Sequence, residues 1–233
     1  DPSEPSRSGA VDPARTLRPT RRFLDVARRE LRARFPTALF LERGDLLSAL
    51  IPFDSRALKE QLEEVRVRIH LVLGGARVSL GVGRYHEGLS GLASSYREAE
   101  RALAIGQRML GGSRTVAFDD LGIYRILFPL VGTPELEAFC HELVGALEAY
   151  DRRHGAELLK TLAAFFACNG NHVQTARMLH LHRNTLLYRL DRIREIAGVD
   201  LDDPETRLSL QVALKALQVM TPSAEAAVGE SAS

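Results

Sequence analysis

Five arginines crowd into one short stretch of this 233-residue chain. Between His172 and Gly198 stand Arg177, Arg183, Arg189, Arg192 and Arg194, against only Asp191 and Glu195. The whole chain carries a formal charge of only +1. A guanidinium presents a planar fork of donors that fits phosphate oxygens or the acceptor edge of guanine. Basic excess confined to one small element is the electrostatic footprint expected of phosphate binding. The candidate DNA-contacting set in and beside this stretch is Asn171, His172, His182, Arg183, Asn184, Thr185, Tyr188, Arg189 and Arg192.

The spacing predicts two helices joined by a tight turn to hold that set. Asn171 can cap the first, with Gln174 three positions on as its capping-box partner. Val173, Ala176 and Leu179 recur at helical spacing, with a small residue where a second helix can approach. Leu181 is an apolar pin in the turn. From Arg183 a second helix carries Leu186, Leu190, Ile193 and Ala197 on one face, leaving Asn184, Thr185, Leu187, Tyr188, Asp191 and Arg192 on the other. This is the layout of a helix-turn-helix whose second helix lies in the major groove. Asn184, Thr185 and Tyr188 then face base edges or the sugar-phosphate wall, and Arg183, in the first turn, is placed for a bidentate contact to guanine. Arg192, Asn171 and His172 are better placed for phosphates. Arg189 lies at the edge of the buried face, where an intramolecular ion pair is the other possibility. The plain alternative is a helical hairpin with a solvated arginine face.

The residues also resemble a known family. The segment from LLKTL at 158–162 through HRNTLLYRLDRI at 182–193 to the closing Leu201-Asp202-Asp203-Pro204 is similar to the C-terminal domain of PucR/CdaR-type bacterial transcription regulators. The core resembles the helix-turn-helix of the Fis family, in which the Arg-x-Thr-Leu entry begins the recognition helix. The resemblance covers roughly residues 146–218.

Apolar content of 45% and charged content of 26% are those of a soluble globular protein, and 233 residues allow one or two domains. No apolar run approaches the ~20 residues needed to span a bilayer, and there is no signal-peptide pattern. A start at Asp1 rather than Met is compatible with a fragment of a longer chain. Cys140 and Cys168 lack metal-ligand or CxxC spacing, so a disulfide or a zinc site is not expected and a reducing cytoplasm fits. Pro2, Pro5 and Pro13 with several Ser and Gly make the first residues a flexible tail. A helix begins at Arg21, with Phe23, Leu24, Ala27 and Leu31 inside, and stops before Pro36. Residues 38–52 read as a hairpin turning at Glu42-Arg43-Gly44-Asp45. Ser55–Leu73 is an amphipathic helix on Leu58, Leu62, Val65 and Ile69. Then come a strand at 77–83, a helix at 89–110 and a short strand at 115–118. That order suggests one antiparallel or mixed sheet with helices on it. Further on, Thr133–Tyr150 is helical on Leu136, Phe139, Leu143 and Leu147, broken by YDRRHG at 150–155. This helix belongs either to the DNA-binding domain or to a connection with the first one. Pro204 opens a last helix with Leu208, Leu210, Val212, Leu214 and Leu217.

The first part resembles the GGDEF-like domain that precedes the DNA-binding domain in the same regulators. Nucleotide cyclases of the GGDEF class carry Gly-Gly-Asp/Glu-Glu-Phe at the hairpin turn. Here Arg43-Gly44-Asp45-Leu46-Leu47 occupies it. Leu46 stands where the metal-binding and catalytic carboxylate would be, and a leucine cannot ligate Mg²⁺. The cyclases' first strand, which brings a metal-binding Asp, has no counterpart before Arg21. The resemblance therefore implies the scaffold without the chemistry. His70, His86, His141, His154 and His172 fall on separate elements without HxxxH or HExxH spacing, and are read as surface or capping residues. Gly81-x-Gly83 is not completed to a dinucleotide fingerprint, and reads as a tight strand exit.

The expected architecture is an α+β N-terminal GGDEF-like domain followed by an all-α helix-turn-helix domain. The expected boundaries are a flexible tail at 1–20, the degenerate GGDEF-like domain at 21–130, a connecting helix at 131–155, the helix-turn-helix domain at 156–220 and a disordered tail at 221–233. The expected function is promoter recognition as a cytoplasmic homodimer on double-stranded DNA, responsive to a small-molecule effector, with no membrane partner, cofactor, metal or catalytic residue. The alternatives are a nucleotide-binding or nucleotide-cyclising enzyme with a helical interaction module, and a helical assembly domain that does not bind DNA. DNA reading needs the polar face of Arg183–Arg192 free, whereas assembly would bury it.

Overall fold

A computed structural model describes residues 21–52 and 57–221. The tails expected at 1–20 and 221–233 lie outside the described residues, save for Thr221. The chain divides into two compact units between Asp120 and Leu121, not at 130.

In the first unit, α1 (Arg21–Arg34) buries Leu24, Ala27 and Leu31, which its helical spacing places on one face. The strands β1 (Leu39–Arg43) and β2 (Leu46–Leu50) pair antiparallel with Arg43 opposite Leu46, so Gly44 and Asp45 make the whole turn. Gly44 takes φ 62°, the sign that a two-residue hairpin requires at its first central position. Phe40, Leu47 and Ala49 pack on the core, and the alternate side chains Leu39, Leu41 and Leu50 stand exposed. Next, α2 (Leu58–Val72) buries Leu62, Val65 and Ile69; its expected start at Ser55 lies outside the described residues. The last strands, β3 (Leu80–Val82) and β4 (Thr115–Ala117), pair in parallel, joined by the crossover helix α3 (Gly88–Leu110).

Two expectations are corrected in this unit. A Cβ on Gly81 would come within 2.1 Å of the Ala99 carbonyl oxygen, and one on Gly83 within 2.0 Å of that of Ser95. The glycine pair therefore lets α3 lie directly on β3, and is more than a strand exit. There are also two separate two-stranded sheets among the described residues rather than one. Leu46 and Leu47 of β2 and Leu80 of β3 line a common cavity of about 820 Å³ whose other walls come from α1, α2, α3, the hairpin turn and the segment 73–79, so no ladder spans the interval. Buried charge fixes the loop after β3. The Glu98 carboxylate on α3 accepts the Arg84 backbone N–H at 3.0 Å, two guanidinium donors of Arg84 at 3.1 and 2.5 Å, and pairs with His86 Nε2 at 3.1 Å.

The second unit is all helical. After the single-turn α4 (Tyr124–Leu127) come α5 (Pro134–His154), α6 (Leu158–Ala167), α7 (His172–Met178), α8 (Arg183–Ala197) and α9 (Pro204–Met220). The α4 turn joins this unit because the Tyr124 hydroxyl donates to Gln218 Oε1 of α9 at 2.6 Å; with no apolar period, it left no trace in the sequence. Helix α5 runs through the expected break at Tyr150 to His154, with Arg152, Arg153 and His154 in its last turn and Gly155 in the left-handed conformation beyond. Cations complement the negative end of the helix dipole, so YDRRHG is a C-terminal turn and not a breaker. Leu136, Cys140, Val144 and Leu147 of α5 are buried, Val144 and Leu147 in one core with Leu162, Leu190 and Leu210. The apolar face of this helix is thus used inside the unit. On α9 the buried set is Leu210, Ala213, Ala216 and Val219, while Leu208 is 57% exposed.

Candidate nucleic-acid interface

The hydrophobic stripe of α8 places it. Leu186, Leu190 and Ile193 are fully buried, each contributing roughly 1.5–3 kcal/mol of apolar burial. That sets which side of the helix faces the core, and Arg183, Asn184, Thr185 and Tyr188 come out exposed.

The turns on either side of α7 close by the same device. The Leu181 N–H bonds back to the Ala176 carbonyl at 2.9 Å and the His180 N–H to that of Arg177 at 3.2 Å. At the end of α6, Gly170 bonds to Phe165 at 2.8 Å and Asn169 to Phe166 at 3.0 Å. These are Schellman closures, and each needs a left-handed residue: Asn169 has φ 52° and His180 φ 54°. A histidine in that conformation was not anticipated, since glycine is the usual signal.

The caps are only partly as expected. Asn171 Oδ1 accepts from the Gln174 N–H at 3.0 Å. The Asn171 N–H bonds to the Cys168 carbonyl at 2.9 Å, so the return half of the capping box is not needed. His182 Nδ1 accepts from the Asn184 N–H at 3.3 Å and caps α8. Asn171 and His182 therefore have a side-chain acceptor engaged at a helix start, while the His172 ring lies 5.6 Å from that of Phe165. Val173, expected in the core, is 53% exposed; the buried residues of this short helix are Thr175 and Ala176.

The cations sort into two groups. Among the described residues, the side chains of Arg177 and Arg183 have no ion-pair or hydrogen-bond partner, and both are exposed. Arg189 makes the intramolecular ion pair that was its other possibility, and Arg192, expected at phosphates, is turned toward Tyr150 instead. Arg189 donates to Thr161 Oγ1 at 3.1 Å and pairs with Glu157 at 3.5 Å. Arg192 pairs with Glu195 at 2.5 Å, donates to the Tyr150 hydroxyl at 3.3 Å and lies 5.3 Å from the centre of that ring. These hydrogen bonds, to Tyr150 first and then Glu195, push the Arg192 guanidinium above its ordinary range. The missed signal was the α5–α6 corner, because helical spacing predicts which side of α8 a residue lies on but not what stands opposite. Further along α8, Asp191 pairs with Arg194 at 2.9 Å, and Asp200 and Asp202 follow. The free cations thus gather at the start of α8 and the carboxylates near its end.

Cys140 and Cys168 are free and buried. Among the described residues no group of three or more His, Cys, Asp or Glu side chains could hold a metal ion, and no helix is long and apolar enough to cross a membrane.

Residues 158–216 match a family described as the PucR C-terminal helix-turn-helix domain, and residues 1–105 match the GGDEF-like domain. The chain is 32% identical over 163 residues to the carbohydrate diacid regulator of Escherichia coli (strain K12), covering 70% of this chain and 41% of that protein. It is 30% identical over 139 residues to the DNA-binding transcriptional activator AdeR of Bacillus subtilis (strain 168), covering 59% and 33%. It is 29% identical over 162 residues to the proline-responsive transcriptional activator PutR of the same organism, covering 69% and 39%. The chain spans less than half the length of these relatives.

Proposed function

The chain belongs to the PucR/CdaR family of regulators, which join a GGDEF-like domain to a PucR-type helix-turn-helix, and from that premise we propose that it reads promoter DNA through α8. One observation carries the reading: the exposed start of α8, with Arg183 unpartnered among the described residues beside Asn184, Thr185 and Tyr188. Bases are recognised from the N-terminal residues of such a helix, and an unpaired guanidinium there has no ion pair to break before it turns toward guanine. Arg177, at the end of α7, supplies a phosphate contact that the sequence reading did not include.

One helix-turn-helix buries too little surface for strong specificity, so the proposal includes two copies on paired half-sites about one helical turn apart. It also includes a small-molecule effector, by analogy with the proline-responsive relative, and a cytoplasmic location. The proposal excludes cyclase chemistry. Leu46 begins β2 where a cyclase carboxylate would stand, and a leucine offers no oxygen to the cations that a triphosphate brings.

The test is selection of bound sequences from a random duplex pool with the purified chain. Recovery of a palindrome with half-sites about ten base pairs apart is the expected outcome. A pool that emerges unenriched sinks the reading.

A further inference from the structure

The corner between α5 and α6 is built more heavily than a helix connection needs. The Asp151 carboxylate accepts the N–H groups of Leu158 and Leu159, at 2.8 and 2.9 Å, and so caps α6. Glu157 sits at φ 55°, a left-handed conformation that non-glycine residues rarely adopt. Thr161 is fully buried, and its hydroxyl donates to the Glu157 carbonyl at 2.8 Å. The Tyr150 ring stacks on His154 with centroids 4.2 Å apart. Into this corner α8 sends two side chains, Arg189 to Thr161 and Glu157, and Arg192 to Tyr150. At about 100° per residue, positions 189 and 192 lie about 60° apart on the α8 surface, on one flank between the buried stripe and the face of Asn184 and Tyr188. Arg189 is only 19% exposed.

We propose that Tyr150 and Thr161 are positioning residues for the recognition helix: they hold Arg192 and Arg189 as two lateral struts, so that α8 meets DNA at a set rotation and neither arginine touches a phosphate. This rests on the helix-turn-helix reading above. A hydrophobic stripe alone leaves a helix free to roll by small angles, since apolar contact is non-directional. Two hydrogen-bonded guanidinium groups on one flank remove that freedom. Base reading demands it, because a bidentate contact is lost when donors and acceptors shift out of register.

The experiment uses the full chain and the duplex recovered by selection, with affinity measured across a salt series. Arg192→Ala and Tyr150→Ala are expected to lose roughly ten-fold in operator affinity, a typical coupling for contacting groups, with the salt slope of the parent chain kept. Arg192→Lys should fail to restore affinity, because an ammonium cannot reproduce the stacked, forked geometry. A phosphate contact behaves oppositely: Arg192→Ala lowers the slope by about one unit and lysine rescues. Either of those results overturns the proposal. Tyr150→Phe and Thr161→Val, which remove one hydroxyl each, guard against a variant that simply unfolds. If both stay folded by circular dichroism and within about two-fold of the parent, below the usual weight of a hydrogen bond to a charged group, the struts do not position the helix. A parent chain that recovers no sequence overturns the helix-turn-helix reading first, and this inference with it.

Discussion

Replacing Glu98 with glutamine should cost the first unit a stability that depends on pH in a defined way. Burial raises the pKa of this carboxyl, but the Arg84 side chain and backbone N–H, with His86, outweigh it and hold the pKa at about 2 against an ordinary 4.5. At 1.36 kcal/mol per unit, that depression is worth about 3 kcal/mol. The Glu98 side chain is only 11% exposed but the Arg84 side chain that faces it is 42% exposed, so solvent screening takes part of that figure. Because the folded pKa is the lower one, the contribution is complete above about pH 5 and is lost as pH falls through about 2. At pH 3 roughly 1.4 kcal/mol should remain. Hydrogen exchange of amides on β3 and α3 reads the opening of this unit separately from the helical one, which a single denaturation curve does not. The parent chain should exceed Glu98→Gln by about 2–3 kcal/mol at pH 7, with the gap unchanged down to about pH 5 and narrowing below it. A gap below about 1 kcal/mol at pH 7, or one that does not change with pH, would show that Glu98 is a packing residue whose charge is immaterial.

Arg183→Ala should lose about 1–3 kcal/mol of preference for the operator over scrambled duplex while general binding stays salt-sensitive; equal loss on both duplexes would make Arg183 a backbone contact. Asn171→Ala should lower the urea stability of the helical unit by about 1 kcal/mol through loss of the cap on α7, with no change counting against the capping geometry. His180→Gly should raise that stability by about 1 kcal/mol, because glycine adopts φ 54° without the penalty an L side chain incurs; a decrease would mean that the imidazole makes a compensating contact.

What could be read in advance was whatever depends on period alone. The hairpin at Arg43–Leu46 was legible from a glycine between two apolar runs, and the α8 stripe from the spacing of Leu186, Leu190 and Ile193. Relations across the chain were hidden. Nothing in the residues around Arg192 announces that Tyr150, far upstream, stands opposite it. The division of the strands into two small sheets depends on which edges the helices cover, and strand pattern does not record that. Val173 misled because α7 is only 7 residues long, too short for its apolar spacing to define a face, so Thr175 took the buried position through its bond to the Asn171 carbonyl at 2.7 Å. The α5 end misled for a different reason: charged residues at a helix C-terminus support the helix that their composition appeared to interrupt.

The sorting of charge along α8 has a kinetic side. Fifteen residues make a helix about 22 Å long, whereas the Debye length at physiological salt is about 8 Å. An approaching polyanion therefore feels the two ends as separate poles: Arg183, Arg177 and the positive end of the helix dipole at one, and Asp191, Glu195, Asp200 and Asp202, only partly neutralised by Arg192 and Arg194, at the other. If α8 reads DNA as proposed, the torque favours encounters in which the start of α8 leads over those in which its end leads. Orientation of this kind raises the fraction of productive collisions without adding a bond to the final complex. Its signature is an association rate that falls steeply with added salt, while the dissociation rate changes little.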